Sequence, residues 1–188
     1  MIDLTTYRPD IYNEVNGCSD IAIDRSVVEA VKTFCLDTWI WTDEILINVT
    51  AGTDEYSLAS SDDTVIIHAI REVKDENNRS FAAYDYSRTS ETITLDSVPT
   101  QDYTLKFTCV YIPKITATAI PDFFEEWRDA ITLKAKQKLY MQPNTAWFNP
   151  GNAQAMEILY VPYKTRAKRL ISKGYNTRPH MVSMPRFI

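Results

Sequence analysis

The chain has few of the residues and none of the short motifs that mark enzymes and metal sites. Its 188 residues include only two histidines, three cysteines and four glycines. The cysteines are odd in number and far apart, without a Cys-x-x-Cys pair, so neither a zinc site nor a disulfide framework is indicated. Walker loops and the GxGxxG, HExxH and GxSxG motifs are missing as well. We therefore predict a protein that is not an enzyme and that uses no cofactor and no metal.

The remaining candidates for chemistry have a simpler structural interpretation. His68 stands alone in a predicted strand, without Cys, Asp or Glu at the spacing of metal ligands. The adjacent carboxylates Asp62 and Asp63 lie in a turn rich in Ser and Asp. Glu125 and Glu126 are adjacent on a predicted helix, where neighbouring side chains point apart. We expect both pairs to be solvated surface.

Targeting and membrane segments are not predicted either. The N-terminal sequence MIDLTTYRPDIYNEV has neither a basic stretch nor an apolar core, so it does not resemble a signal peptide. Apolar runs fall short of the roughly 18–20 residues that a membrane span needs. We expect synthesis in a reducing cytoplasm and no membrane partner.

The net charge of −5 conceals a strong asymmetry along the chain. Residues 158–188 contain seven basic side chains and no acidic one, whereas the other 157 residues contain 13 basic and 25 acidic side chains. A basic end on an acidic body predicts a partner that is either nucleic acid or an acidic protein surface. The alternative is a solvated helix face followed by a disordered end. The basic residues of the predicted last helix are Lys164, Arg166, Lys168, Arg169 and Lys173.

Apolar residues at helical spacing predict three long helices. The first covers about residues 20–38, with Ser19 or Asp20 as its N-cap and Cys35 as a small core residue. The second is one helix from Ile120 to Pro143. Its basic side chains crowd the C-terminal half, and its apolar stripe consists of Phe124, Trp127, Ile131, Ala135 and Leu139.

The third predicted helix begins after the cap residue Asn149 and runs to about Lys173, with a kink at Pro162 and a stop at Gly174. Its predicted buried face consists of Ala155, Met156, Leu159, Tyr163, Ala167 and Leu170. Residues 1–18 lack a clear period.

Between the first two helices the apolar period changes to the alternation of β-strands. About six short strands are predicted between Glu44 and Ile112, including 65–73, 81–84, 92–95 and 103–112. The fold class is therefore α+β: a bundle of three or four helices interrupted by an antiparallel β-module, either a small sandwich or a barrel. We divide a single domain, 1–188, into a bundle (19–43 and 114–174), a β-rich insertion (44–113) and an extended C-terminal tail (175–188).

Two stretches of this layout resemble the head-to-tail adaptor, or connector, proteins of tailed bacteriophages, especially the short-tailed type. One is AVKTFCLDTWIWTDEILINVTAGTDEYSL, a helix that ends near Phe-Cys and Thr-Trp and leads into a strand and a turn. The other is IPDFFEEWRDAITLKAKQKLYMQP, followed by a second long helix. With the segments between them they span about residues 20–175.

The resemblance implies a structural virion protein at the head–tail interface, or neck. Twelve copies would form a ring below the portal, extend the DNA channel used in ejection, and hold the next tail component, a nozzle or tail-tube protein. DNA would pass through the lumen without sequence-specific binding. In that family the C-terminal segment commonly reaches the portal, which implies portal-docking roles here for Tyr175, Arg178, His180, Met181, Met184, Arg186, Phe187 and Ile188.

Two other functions stay open at this point. One is that of a different phage neck or tail-completion protein, such as a stopper or a tail terminator, which the symmetry of the ring and the direct binding partner would distinguish. The other is that of a non-specific DNA-binding module that acts through the basic last helix. Such a module would have an affinity for DNA that falls steeply with salt.

Overall fold

Helices and strands follow one another in the predicted order of helix, β-module, helix and helix. The structure is a computed structural model, and it describes residues 1–60, 62–77, 79–80, 85–89 and 91–173. The helices are α1 (Arg8–Tyr12), α2 (Asp20–Thr38), α3 (Arg128–Tyr140) and α4 (Pro150–Ser172), with 3₁₀ turns at Leu4–Tyr7 and Asp122–Trp127. The strands are β1 (Ile2–Asp3), β2 (Thr42–Val49), β3 (Glu55–Ser57), β4 (Val65–Asp75), β5 (Tyr86–Arg88), β6 (Thr92–Leu95), β7 (Tyr103–Pro113) and β8 (Ala119–Ile120).

The helical bundle has one apolar core to which α2, α3 and α4 all contribute. Phe34 of α2 lies at its centre, with its ring centroid 5.4 Å from that of Trp127 and 6.2 Å from that of Tyr160. All three side chains are fully buried. None of the three helices can cover its apolar stripe alone, so burial of these stripes against each other holds the bundle together. Cys35 is buried in the same core, as predicted.

The first eighteen residues add a further layer to this bundle. Leu4, Tyr7, Ile11 and Val15 are buried in the bundle core. The Arg128 guanidinium lies 4.7 Å from the Tyr7 ring centroid and donates a hydrogen bond to a carboxylate oxygen of Asp10 at 2.8 Å. The segment is short and irregular, which is why its period is not visible in the sequence.

The β-module is a sandwich of two three-stranded antiparallel sheets and not a closed barrel. Strand order is β2-β7-β4 in the larger sheet and β3-β6-β5 in the smaller one. Residues from both sheets form one buried cluster, including Phe107 of β7 and Ile93 of β6. The predicted strand at 81–84 lies outside the described residues, and β5 was not predicted. The other expected strands are present, β6 with the predicted bounds.

The prediction of one continuous helix from Ile120 to Pro143 is wrong at its N-terminal end. Ile120 belongs to β8 and pairs with Ile2 of β1. Pro121 is extended, with ψ 147°, and a 3₁₀ turn then runs to Trp127. Regular helix begins only at Arg128. The pairing with a strand 118 residues earlier competes with helix formation, and this long-range contact is not encoded in the local period.

Candidate partner-binding surface on the C-terminal helix

Helix α4 presents the predicted basic residues, and its start follows from local sequence. The side chain of Asn149 accepts a hydrogen bond from the backbone N–H of Asn152 at 3.0 Å, and Pro150 occupies the first turn. Both features satisfy the needs of a helix N-terminus, whose first N–H groups have no partner within the helix. The helix then continues across Pro162 to Ser172. The predicted stop at Gly174 lies outside the described residues.

The buried face of α4 differs from the predicted one. The fully buried positions are Ala153, Tyr160 and Ala167, spaced seven residues apart. Ala167 was predicted correctly, and the predicted Met156, Tyr163 and Leu170 are partly buried against the same core, whereas Ala155 and Leu159 are exposed. Tyr160 inserts between α2 and α3, and its hydroxyl donates to the Asp37 carboxylate at 3.1 Å. Burial, followed by the charge of Asp37, raises the pKa of the Tyr160 phenol.

Two of the five predicted basic residues are bound within the chain. The Lys164 ammonium lies 3.7 Å from the Asp37 carboxylate and above the Tyr160 ring. Arg166 is 2.6 Å from the Glu126 carboxylate, and its guanidinium lies 5.2 Å from the Trp127 ring centroid. These contacts fasten α4 to α2 and to the turn before α3. They leave both side chains less available to an external partner.

The other three basic residues have no ion-pair partner within the described part of the chain. Lys168, Arg169 and Lys173 are exposed, and none of them forms an ion pair with a described residue. They lie in the last turns of α4, directly before the C-terminal segment. The predicted portal-docking residues, from Tyr175 to Ile188, all lie outside the described residues.

The outward side of α4 also carries large apolar side chains that the sequence reasoning missed. Ile158, Leu159 and Val161 are exposed by 64%, 53% and 44%. They lie about two to three turns before Lys168 and Arg169, so the helix has an apolar half and a basic half facing outward. In the sequence, these exposed residues are visible only as a second apolar line at helical spacing on the side of the helix opposite Tyr160.

A cleft adjoins the C-terminal half of α4. It has a volume of about 470 Å³, and its lining includes Leu36, Trp39, Arg71, Lys168 and Ile171. The Arg71 guanidinium of β4 donates to the backbone carbonyl of Ile171 at 3.0 Å, which joins the β-module to this end of the bundle. An aromatic side chain and two cations therefore meet at one surface opening.

The residues considered for catalysis or metal binding do not come together. Cys18, Cys35 and Cys109 are buried free thiols, and burial raises the pKa of Cys109 to about 11. His68 is exposed on β4. Among the described residues, no group of three or more His, Cys, Asp or Glu could hold a metal ion. In the same part of the chain, no helix combines the length and the apolar character that a membrane crossing requires.

Comparisons with known proteins give only distant likenesses. No protein-family model and no curated protein matches the chain. Among solved structures, it is similar to a chain of the virion of the native gene transfer agent (GTA) particle, with 14% identity, a TM-score of 0.30 and coverage of 85% of this chain and 88% of that one. A chain in the neck of the empty GTA particle computed with C6 symmetry has 13% identity and a TM-score of 0.31, with coverage of 85% of this chain and 88% of that one. A chain in the neck of the native GTA particle computed with C12 symmetry has 14% identity and a TM-score of 0.28, with coverage of 85% of this chain and 91% of that one. Likenesses at these TM-scores do not establish a common fold.

Proposed function

We propose that this chain is a structural virion protein of a tailed bacteriophage, an adaptor whose copies form a ring that joins the portal to the tail and extends the DNA channel. The ring is dodecameric in the adaptor family that the sequence resembles. Its partners would be the portal protein, the next tail protein and further copies of itself, with DNA passing through without sequence-specific binding. The protein has no catalytic role in this proposal.

The observation that carries the proposal is the separation of free cations from the acidic body. Lys168, Arg169 and Lys173 have no described ion-pair partner, and they lead directly into residues 174–188, which contain two more arginines and no acid. The segment also contains Met181, Met184 and Phe187, which are suitable apolar anchors for an interface. We call residues 175–188 the C-terminal arm. Its basic and apolar side chains fit an acidic protein surface, as expected of a portal.

The acidity of the remaining chain supports a passage for DNA and not a binding site for it. The 157 residues before position 158 contain 25 acidic and 13 basic side chains. Repeated around a ring, such a body repels phosphate and would let DNA slide. Phe34 and Trp127 pack the two resembling stretches against each other, which fits a single domain that contains both.

The test compares the full chain with a variant that lacks residues 175–188, each mixed with the portal protein encoded in the same genome. We expect a ring on the portal, seen by electron microscopy, for the full chain only. The far-ultraviolet circular dichroism spectrum of the truncated variant should retain the helical signal of the bundle. Equal portal binding by both proteins would remove the docking role of the C-terminal arm.

Point variants of the arm separate its charge from its apolar anchors. Arg178→Glu with Arg186→Glu should weaken portal binding most at low salt, because salt screens exposed charges. Met184→Ser with Phe187→Ser should weaken it equally at all salt concentrations. A ring with another symmetry, or binding to a tail protein but not to the portal, would favour a stopper or terminator.

The salt dependence of DNA affinity tests the DNA-binding alternative. Three free cations on α4 would give a slope of log affinity against log salt of about −2.7 on duplex DNA. Fluorescence anisotropy with labelled duplex DNA at low salt measures this slope. An absence of binding under these conditions removes the alternative.

A further inference from the structure

One exposed surface of the bundle combines an aromatic, an apolar and a basic part. We name it the α4 surface, and its residues are Leu36, Trp39, Ile158, Val161, Lys168 and Arg169. Val161 and Lys168 are seven residues apart and therefore on one side of the helix. Lys168 also lines the cleft that contains Leu36 and Trp39, so the helix face and the cleft are continuous.

Trp39 combines an unfavourable backbone conformation with a side chain that is only partly buried. Trp39 ends α2 in the left-handed region with φ 58° and ψ 31°, where glycine is the usual residue. A bulky side chain in this conformation costs about 1–2 kcal/mol. The indole is nevertheless 40% exposed, so burial recovers only part of that cost. Strained residues of this kind cluster at binding sites, and Trp is the residue type most enriched among interface hot spots.

A complementary surface exists elsewhere on the same chain. Residues 44–113 contain twelve acidic and five basic side chains, so the β-module carries −7 of the net charge of −12 on residues 1–157. Asp63 and Glu91 are exposed and line a second cleft of about 300 Å³. Its lining also includes the apolar side chains Leu58 and Ile66 and a single cation, Lys114. We name this the acidic cleft.

The two surfaces match in chemistry and lie at different places on the chain. The first presents an indole and aliphatic groups next to Lys168 and Arg169, and the second presents apolar lining next to Asp63 and Glu91. Contact between two different patches of identical chains is heterologous, and repetition of such a contact closes into a ring when the rotation permits. Pairing of two α4 surfaces is less favourable, because like charges would meet.

We propose that the α4 surface of one copy binds the acidic cleft of a second copy, and that this contact is the subunit interface of the ring. The proposal rests on the proposed function only in requiring several copies to assemble. Trp39 enters the apolar part of the acidic cleft, and Lys168 and Arg169 face Asp63 and Glu91.

A charge-swap experiment tests the pairing. One variant carries Lys168→Glu and Arg169→Glu, and the other carries Asp63→Lys and Glu91→Lys. The matched control is Lys32→Glu, an exposed position on α2 that has no ion-pair partner among the described residues. Sedimentation velocity of the full-length proteins, alone and mixed, gives the oligomeric state over a wide concentration range.

We expect each charge-swap variant alone to associate at least about tenfold more weakly than the wild type, because like charges then meet at every interface. An equimolar mixture should recover association, since each α4 surface finds an opposite charge on the other variant. Trp39→Gly should weaken association without loss of folding, and Lys32→Glu should leave it unchanged. A mixture as dissociated as its components overturns the proposal, and so does an equal loss in Lys32→Glu.

The same proteins are compared on the portal if the wild type is monomeric alone. Assembly on the portal by the mixture, but by neither variant alone, then supports the interface. No assembly of the wild type in either setting overturns it. Oligomers that follow the charge swap but do not bind portal would keep the interface and remove the adaptor function. Rings on the portal that are unaffected by the charge swap would keep the adaptor function and remove the proposed interface.

Discussion

The Lys136 ammonium lies 2.7 Å from a carboxylate oxygen of Glu14, a residue 122 positions earlier in the chain. The Lys136 side chain is 8% exposed and that of Glu14 is 49% exposed. Lys134 forms a similar pair with Glu157 of α4, also at 2.7 Å. The basic residues of α3 therefore do not form a solvated helix end. They connect α3 to the N-terminal segment on one side and to α4 on the other.

Removing Glu14 should be more harmful than removing Lys136. Glu14→Gln leaves a nearly buried ammonium without its counter-charge, and we expect a loss of about 1–2 kcal/mol, reduced from the cost of a fully buried pair because Glu14 is half exposed. Lys136→Met replaces the charge by an apolar side chain and should be neutral or stabilising. Urea unfolding curves measure both. A harmless Glu14→Gln would show that the ion pair does not contribute.

Trp127 should be the most costly single truncation in the bundle. It is fully buried against Phe34, so Trp127→Ala is expected to cost about 3–5 kcal/mol of unfolding free energy. The matched control is Phe123→Ala, since Phe123 is 39% exposed at the same turn. The control should cost less than about 1.5 kcal/mol. Similar losses for both would contradict the placement of Trp127 in the core.

Tyr7→Phe should stabilise the protein or leave its stability unchanged. The Tyr7 hydroxyl is buried and has no hydrogen-bond partner among the described residues, so removing it eliminates an unsatisfied polar group. We expect a gain between zero and about 2 kcal/mol at neutral pH. Thermal unfolding at pH 7 measures it. A loss above about 1 kcal/mol, the typical net contribution of one hydrogen bond, would show that the hydroxyl has a partner.

The same variant should change the stability at alkaline pH. Burial raises the pKa of Tyr7 from 10.0 to about 12, although the nearby Arg128 guanidinium opposes the shift. The folded state thus favours the neutral phenol, and its contribution to stability is complete below pH 10 and disappears as the pH rises towards 12. Tyr7→Phe should therefore lose less stability than the wild type over this window. Identical pH profiles would contradict the raised pKa.

Trp39 should tolerate glycine better than a β-branched residue. Trp39→Gly relieves the left-handed backbone but loses the indole contacts, and we expect a net change within about 1 kcal/mol. Trp39→Val retains the unfavourable φ with a branched side chain and should cost about 2 kcal/mol or more. Thermal unfolding of both variants tests this order. A stable Val variant would show that the backbone of Trp39 relaxes.

The sequence shows which residues of the candidate surface are basic, but not which of them are paired with an acidic side chain. Arg166 and Lys168 look alike in the sequence, since both are basic residues of the same helix. Glu126 binds Arg166, and it reaches that position only because α4 packs beside the turn before α3. No described acid lies at Lys168. The exposure of Trp39 is likewise not visible in the sequence.

Elements whose ends carry local chemical signals can be located from the sequence alone. Asn149 caps α4 as predicted, and Ser19, one of the two predicted candidates, caps α2, because an N-cap side chain satisfies the free N–H groups of its own helix. The alternation of apolar residues located most strands for the same local reason. Features that depend on distant partners follow only from the packing of the folded chain. Ile120 left the helix to pair with Ile2, and Tyr160, not Leu159, turned inward, because packing chooses between two apolar lines that the helical period cannot distinguish.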